Sequence, residues 1–152
     1  MDVTDWIRDW IWKKSATWRS SNPTILAFDK EHPDRLLGYG TWKHVEARSS
    51  AGVEEMHIEI AWFGIHRDYQ GMKADTGERC SVRVYATVLA HALADDDSTD
   101  DMPVTLTCHL DNDRGYKFWQ SLGFSDAAEA EERLPDGQPQ KYRRMVLGSR
   151  HP

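Results

Sequence analysis

The chain has 152 residues and a formal net charge of −6. That length suits one compact domain with its own core, and the acidic balance offers nucleic-acid phosphates no general electrostatic attraction. No continuous apolar run approaches the roughly 20 residues of a membrane span, and "MDVTDWIRDW" carries charges where a secretory signal would be apolar. The two cysteines, Cys80 and Cys108, fit no metal-type spacing and read as free thiols of a reducing cytoplasm, with a disulfide between them left open. The expectation is a single cytoplasmic domain over residues 1–152, with no metal and no nucleic-acid or membrane partner.

Seven tryptophans stand out. Trp6, Ile7, Trp10 and Ile11 share a face at helical spacing. Asp2 or Thr4 can cap such a helix, and Asp5 suits its positive end. The spacing predicts an N-terminal helix, packed on the core or presenting an aromatic wall to a cleft or a partner. "SSNP" breaks it. "TILAFDKEHPDRLLGYGTWKHVEA" then reads as two strands joined at His32-Pro33-Asp34, and "RSSAGVEE" as a polar loop. "MHIEIAWFGI" is rich in isoleucine and aromatics with little alternation, as in a central strand buried on both faces.

Next, "HRDYQGMKADTGERC" starts like a glycine-rich turn but offers only Gly71 and Gly77. In "SVRVYATVLAHALA", Val84, Val88, Leu89, Ala92 and Leu93 recur at helical period. The acidic "DDDSTDDMP" connects this helix to the strand "VTLTCHL". "DNDRGYKFWQSLGF" is a short helix with Gly123 as its stop. The end is a hairpin around Pro135-Asp136-Gly137. A strand–helix–strand passage over residues 56 to 110 favours a parallel pair inside a mixed sheet, hence an α/β (α+β) layered fold. No internal repeat or linker is evident.

Three motifs in this order resemble the GNAT superfamily of acyl-CoA-dependent N-acetyltransferases. "IEIAWFGIHRDYQG" resembles the family's central strand running into its Gln/Arg-x-x-Gly-x-Gly/Ala loop, and "ATVLAHAL" the helix that follows. "LDNDRGYKFWQSLGF" resembles Asn-x-x-Ala-x-x-Phe-Tyr-x-x-x-Gly-Phe, with Asn112, Phe118, Gly123 and Phe124 in place. Gly115 stands for the usual alanine and Trp119 for the usual tyrosine. The resemblance covers roughly residues 20 to 147. It implies a mainly antiparallel sheet with a parallel, splayed strand pair. The family usually opens with a strand and two helices, whereas one helix is expected here, so the chain reads as a shortened member.

The resemblance implies acetyl-CoA as co-substrate and a small-molecule or peptide amine as acceptor; a homodimer is the one oligomer considered. Coenzyme A would meet the strand end at Phe63, Gly64 and Ile65, where the family pairs the pantetheine arm and stabilises the thioester oxygen with a backbone N–H. An amine resembling lysine has a pKa near ~10 and must lose a proton before attack. Glu59 takes the position of the family's glutamate base, with His57 on the same face as relay or bystander and His66 as a loop residue. The departing thiolate lacks the family's tyrosine, so Tyr116 is the substitute acid and the Trp119 indole a hydrogen-bond donor. Asn112 caps the short helix and contacts the cofactor.

For the loop, two alignments stay open: Gln70-Gly71 as the cradle with a late helix, or Gln70-Gly71 opening an insertion of about six residues before a cradle at Thr76 to Ser81. In the second, Arg79 and Ser81 replace glycines and bind phosphate by side chain. Arg79 favours it. The competing function is a non-catalytic module of the same fold that binds acyl-CoA or a protein partner in a regulatory role. Modification of aminoacyl-tRNA is disfavoured by the negative charge.

Overall fold

The computed structural model describes residues 11–14, 22–28, 34–48, 52–73, 77–133, 136–137 and 139–148. Among them run strands β1 (Ile11–Lys14), β2 (Pro23–Phe28), β3 (Leu36–Arg48) and β4 (Glu54–Ile65), a 3-10 turn (Arg67–Tyr69), helix α1 (Cys80–Ala94), strand β5 (Val104–His109), helix α2 (Asp113–Ser121), and strands β6 (Phe124–Arg133) and β7 (Pro139–Leu147). The strands follow the order β1-β2-β3-β4-β5-β7-β6 in a mainly antiparallel sheet with one parallel pair, flanked by helices. The β4-α1-β5 passage supplies the parallel pair, because neighbouring strands joined through a helix run the same way.

Every predicted element after the N-terminal segment is present. The N-terminal helix is different: Ile11 opens β1, which pairs antiparallel with β2 from Ile11↔Leu26 to Lys14↔Pro23. β-branched and aromatic residues favour strands, and a short apolar run fits either period, so pairing with β2 decides the outcome for Ile11 and Trp12. Trp6, Ile7 and Trp10 lie outside the described residues. So does Pro135, at the predicted hairpin turn between β6 and β7, whereas Asp136 and Gly137 are described there.

The chain divides into two compact units, one of Met1–Lys43 and Ile60–Asp100, the other of His44–Glu59 and Asp101–Pro152. In the first, α1 packs on β3 through Val84 and Val88, which are 1% and 0% exposed. The approach is so close that a Cβ at Gly40 would collide with the Val88 side chain. Trp42 is fully buried, and its indole Nε1 donates to Asp95 Oδ2 at 2.9 Å, at the end of α1. In the second unit, β7 pairs with both β5 and β6, and Leu106, Cys108, Phe124 and Met145 are buried. Gly123 ends α2 with φ +99, the left-handed conformation that glycine adopts without strain. Among the described residues no helix is long and apolar enough to cross a membrane.

Candidate active site

In the first unit, the end of β4 carries Phe63, Gly64 and Ile65. Gly64 is there for clearance: a Cβ would come within 2.6 Å of Tyr39 Cε1, so the ring lies against bare backbone. The chain then turns. His66 donates its N–H to the Leu37 carbonyl at 2.7 Å, and its Nδ1 accepts from the Asp68 N–H at 3.1 Å. The Gln70 side-chain amide folds back and donates to the Ile65 carbonyl at 3.1 Å.

The stretch after Gln70 closes on itself. Lys73 and Arg79 form an isolated antiparallel bridge, and the Cys80 N–H donates to the Met72 carbonyl at 3.0 Å. The helix therefore starts at Cys80, with Gly71 and Gly77 both at positive φ in the loop before it. A start at Cys80 fits both alignments, the cradle at Thr76 to Ser81 and the cradle at Gln70-Gly71 with a late helix. Arg79 occupies the N-cap position with no side-chain cap bond and is exposed. Helix geometry leaves the N–H groups of Ser81 and Val82 without intrahelical acceptors, so the start of α1 presents bare donors, the positive end of a helix dipole and a guanidinium. Arg83 and Glu78 pair at 3.6 Å beside it.

In the second unit, Glu59 lies on β4 with its side chain 16% exposed, and its Oε2 stands 3.8 Å from Arg144 Nη2 of β7. His57 is buried, its Nε2 3.1 Å from Glu55 Oε1. Asn112 caps α2, its Oδ1 accepting from the Gly115 N–H at 2.9 Å. The departure at Gly115 has a local cause: a Cβ there would collide with the Asn112 side chain. The Tyr116 hydroxyl donates to Asp126 Oδ2 at 3.0 Å, and the Arg143 guanidinium lies 4.0 Å from its ring centroid. Trp119 is buried and makes edge contacts with Phe118 and Phe124.

Two residues here escaped sequence reasoning, Arg144 and Thr105, which lies two residues along β5 from Thr107, the ladder partner of Arg144. The signal available was the arginine pair in "KYRRMVL": adjacent strand residues point to opposite faces, so each arginine needs its own partner. Arg143 finds Tyr116 and Arg144 finds Glu59.

No protein-family model and no curated protein matches the chain. Solved structures do. Arabidopsis thaliana NAA60 in complex with a bisubstrate analogue is 16% identical, with 83% of this chain and 75% of that one covered and a TM-score of 0.63. The same protein in complex with acetyl-CoA gives 15% identity, 82% and 74% coverage and a TM-score of 0.60. The chain has the GNAT fold. A spermidine N-acetyltransferase SpeG chimera from Vibrio cholerae and hSSAT shares that fold at 14% identity, 83% and 66% coverage and a TM-score of 0.56.

Proposed function

We propose that the chain is an acyl-CoA-dependent N-acyltransferase, a single cytoplasmic acyltransferase domain that moves acetyl from acetyl-CoA to a primary amine of a small molecule or peptide by direct attack in a ternary complex. The supporting observation is the uncapped start of α1 at the end of the loop that follows β4. Arg79, Ser81, Gly77 and the α1 N–H groups fit a pyrophosphate there, the side chains replacing donors that the family's glycines free from backbone. Gly71 and Gln70 shape the approach. Because Gln70 already holds the Ile65 carbonyl, a pantetheine amide pairs at Phe63 and Gly64 or displaces that side chain.

Glu59 accepts the ammonium proton, directly or through a water. The amine nitrogen then forms its bond to the thioester carbon as the carbon–sulfur bond breaks. The thiolate belongs to a thiol of pKa about 8.5, so it leaves near neutral pH with modest assistance. Tyr116, if its hydroxyl turns from Asp126, protonates the departing thiolate and regains the second proton that the nitrogen sheds on becoming an amide, and the Trp119 indole and the Asn112 amide serve cofactor binding by hydrogen bond. The Tyr116–Asp126 bond favours a second reading, a non-catalytic module that binds acyl-CoA or a protein partner for regulation. Thiol release from acetyl-CoA with a panel of amines separates the two. Turnover that Glu59→Gln removes supports the enzyme; acetyl-CoA binding with no turnover on any amine supports the module.

A further inference from the structure

The second unit holds a polar cluster that proton transfer by Glu59 does not account for. Thr107 pairs with Arg144 and Thr105 with Val146 on the β5–β7 ladder, so Thr105 and Arg144 share a face. The 3.8 Å approach of Arg144 to Glu59 puts Glu59 on that face, and His57 follows by alternation along β4. Three buried polar atoms of this cluster have no hydrogen-bond partner among the described residues: His57 Nδ1, Thr105 Oγ1 and Arg144 Nε. His57 is 6% exposed and Thr105 2%. Buried polar groups in folded proteins are nearly always paired, and leaving one bare is destabilising.

The bare atoms divide by chemistry. With the His57 proton on Nε2 toward Glu55, Nδ1 presents a lone pair. Arg144 Nε is a fixed donor, and the Thr105 hydroxyl can donate. Acceptors (Glu59 and His57) thus stand beside donors (Arg144 and Thr105), with the opposite charges 3.8 Å apart. A ligand with an ammonium and a carboxylate on one carbon satisfies both sets. A polyamine or a lysine side chain would face Arg144 with methylenes or a like charge and leave Nε bare. Arg144 keeps 29% side-chain exposure, which opens the cluster to solvent on its side.

Resting on the acyltransferase reading, we infer that the acceptor is a free amino acid, its amine held toward Glu59 and His57 and its carboxylate by Arg144 and Thr105. The test is binding, measured by thermal shift and calorimetry on the full chain with and without coenzyme A. The probes are a panel of L-amino acids and the amines that differ from them only by loss of the carboxylate. At least one amino acid binds, and its decarboxylated amine binds about tenfold more weakly or worse, as for a lost charged hydrogen bond. Arg144→Gln and Thr105→Val each weaken the amino acid by a similar factor and leave acetyl-CoA binding unchanged. If Arg144→Gln does not fold, the near-isosteric Thr105→Val carries the comparison. No amino-acid binding, equal binding of the decarboxylated amine, or wild-type affinity in the folded variants overturns the inference. Acetyl-CoA binding without amino-acid binding rejects this acceptor alone; amino-acid binding without acetyl-CoA binding rejects the acyltransferase reading alone.

Discussion

Two helix starts in this molecule follow a strand, α2 after a short turn and α1 after a long loop, and they solve the same problem in opposite ways. At α2, Asn112 folds its side chain onto the Gly115 N–H, and Gly115 gives up its Cβ to make room. At α1, Arg79 occupies the same position with no side-chain bond to the helix, and a loop closed by the Lys73–Arg79 bridge holds it there. Capping residues stabilise a helix by about 1 kcal/mol. One start takes that stabilisation and the other forgoes it, leaving donors and a guanidinium facing outward. An end completed from within is structural; an end left incomplete is where an anion belongs.

The largest effect tests what that anion delivers. Glu59→Gln lowers acetyl-transfer turnover by about 10²–10⁴-fold, the usual worth of a positioned base, with acetyl-CoA affinity retained; unchanged turnover removes Glu59 from the chemistry. Next, Arg79→Ser separates stability from binding at α1. The serine hydroxyl caps the helix and raises stability in urea by about 0.5–1 kcal/mol, while acetyl-CoA binds about tenfold or more weakly for want of a charged contact. A variant that binds normally erases the distinction between the two helix starts.

Packing supplies the third effect. Gly40→Ala drives a methyl into Val88 and costs about 1–3 kcal/mol by overpacking, seen as a lower urea midpoint at unchanged slope. At α2 the effects are smaller and opposed. Asn112→Ala loses about 1 kcal/mol. Gly115→Ala shows a net change near zero, because the helix propensity it gains, about 1 kcal/mol, offsets the displaced cap. The smallest effect is in pH. Burial pushes the Cys108 thiol up, with Arg143 opposing and Asp126 adding. A thiol raised in the folded state contributes stability fully below its unfolded pKa of about 8.5 and loses it as pH climbs above that value. Cys108→Ala therefore flattens the alkaline decline measured by urea unfolding.

Most of the fold was legible because its signals are local: period in α1, isoleucine and aromatic density in β4, turn residues at the β6–β7 hairpin. The helical reading of Ile11 and Trp12 failed where locality ends, since pairing with β2 overrides a short pattern that suits either period. Asn112 was legible as a cap because capping is a three-residue affair. Arg144 was not, because its meeting with Glu59 depends on strand order and register. Gly64 clears Tyr39, a contact that no spacing in the sequence announces.

The most direct test of the central claim is calorimetric titration of acetyl-CoA into the wild-type chain and into Arg79→Ser. The account predicts one-to-one binding that weakens with added salt, as phosphate contacts do, and that the substitution weakens further. Absence of binding to the wild type at millimolar acetyl-CoA would contradict it.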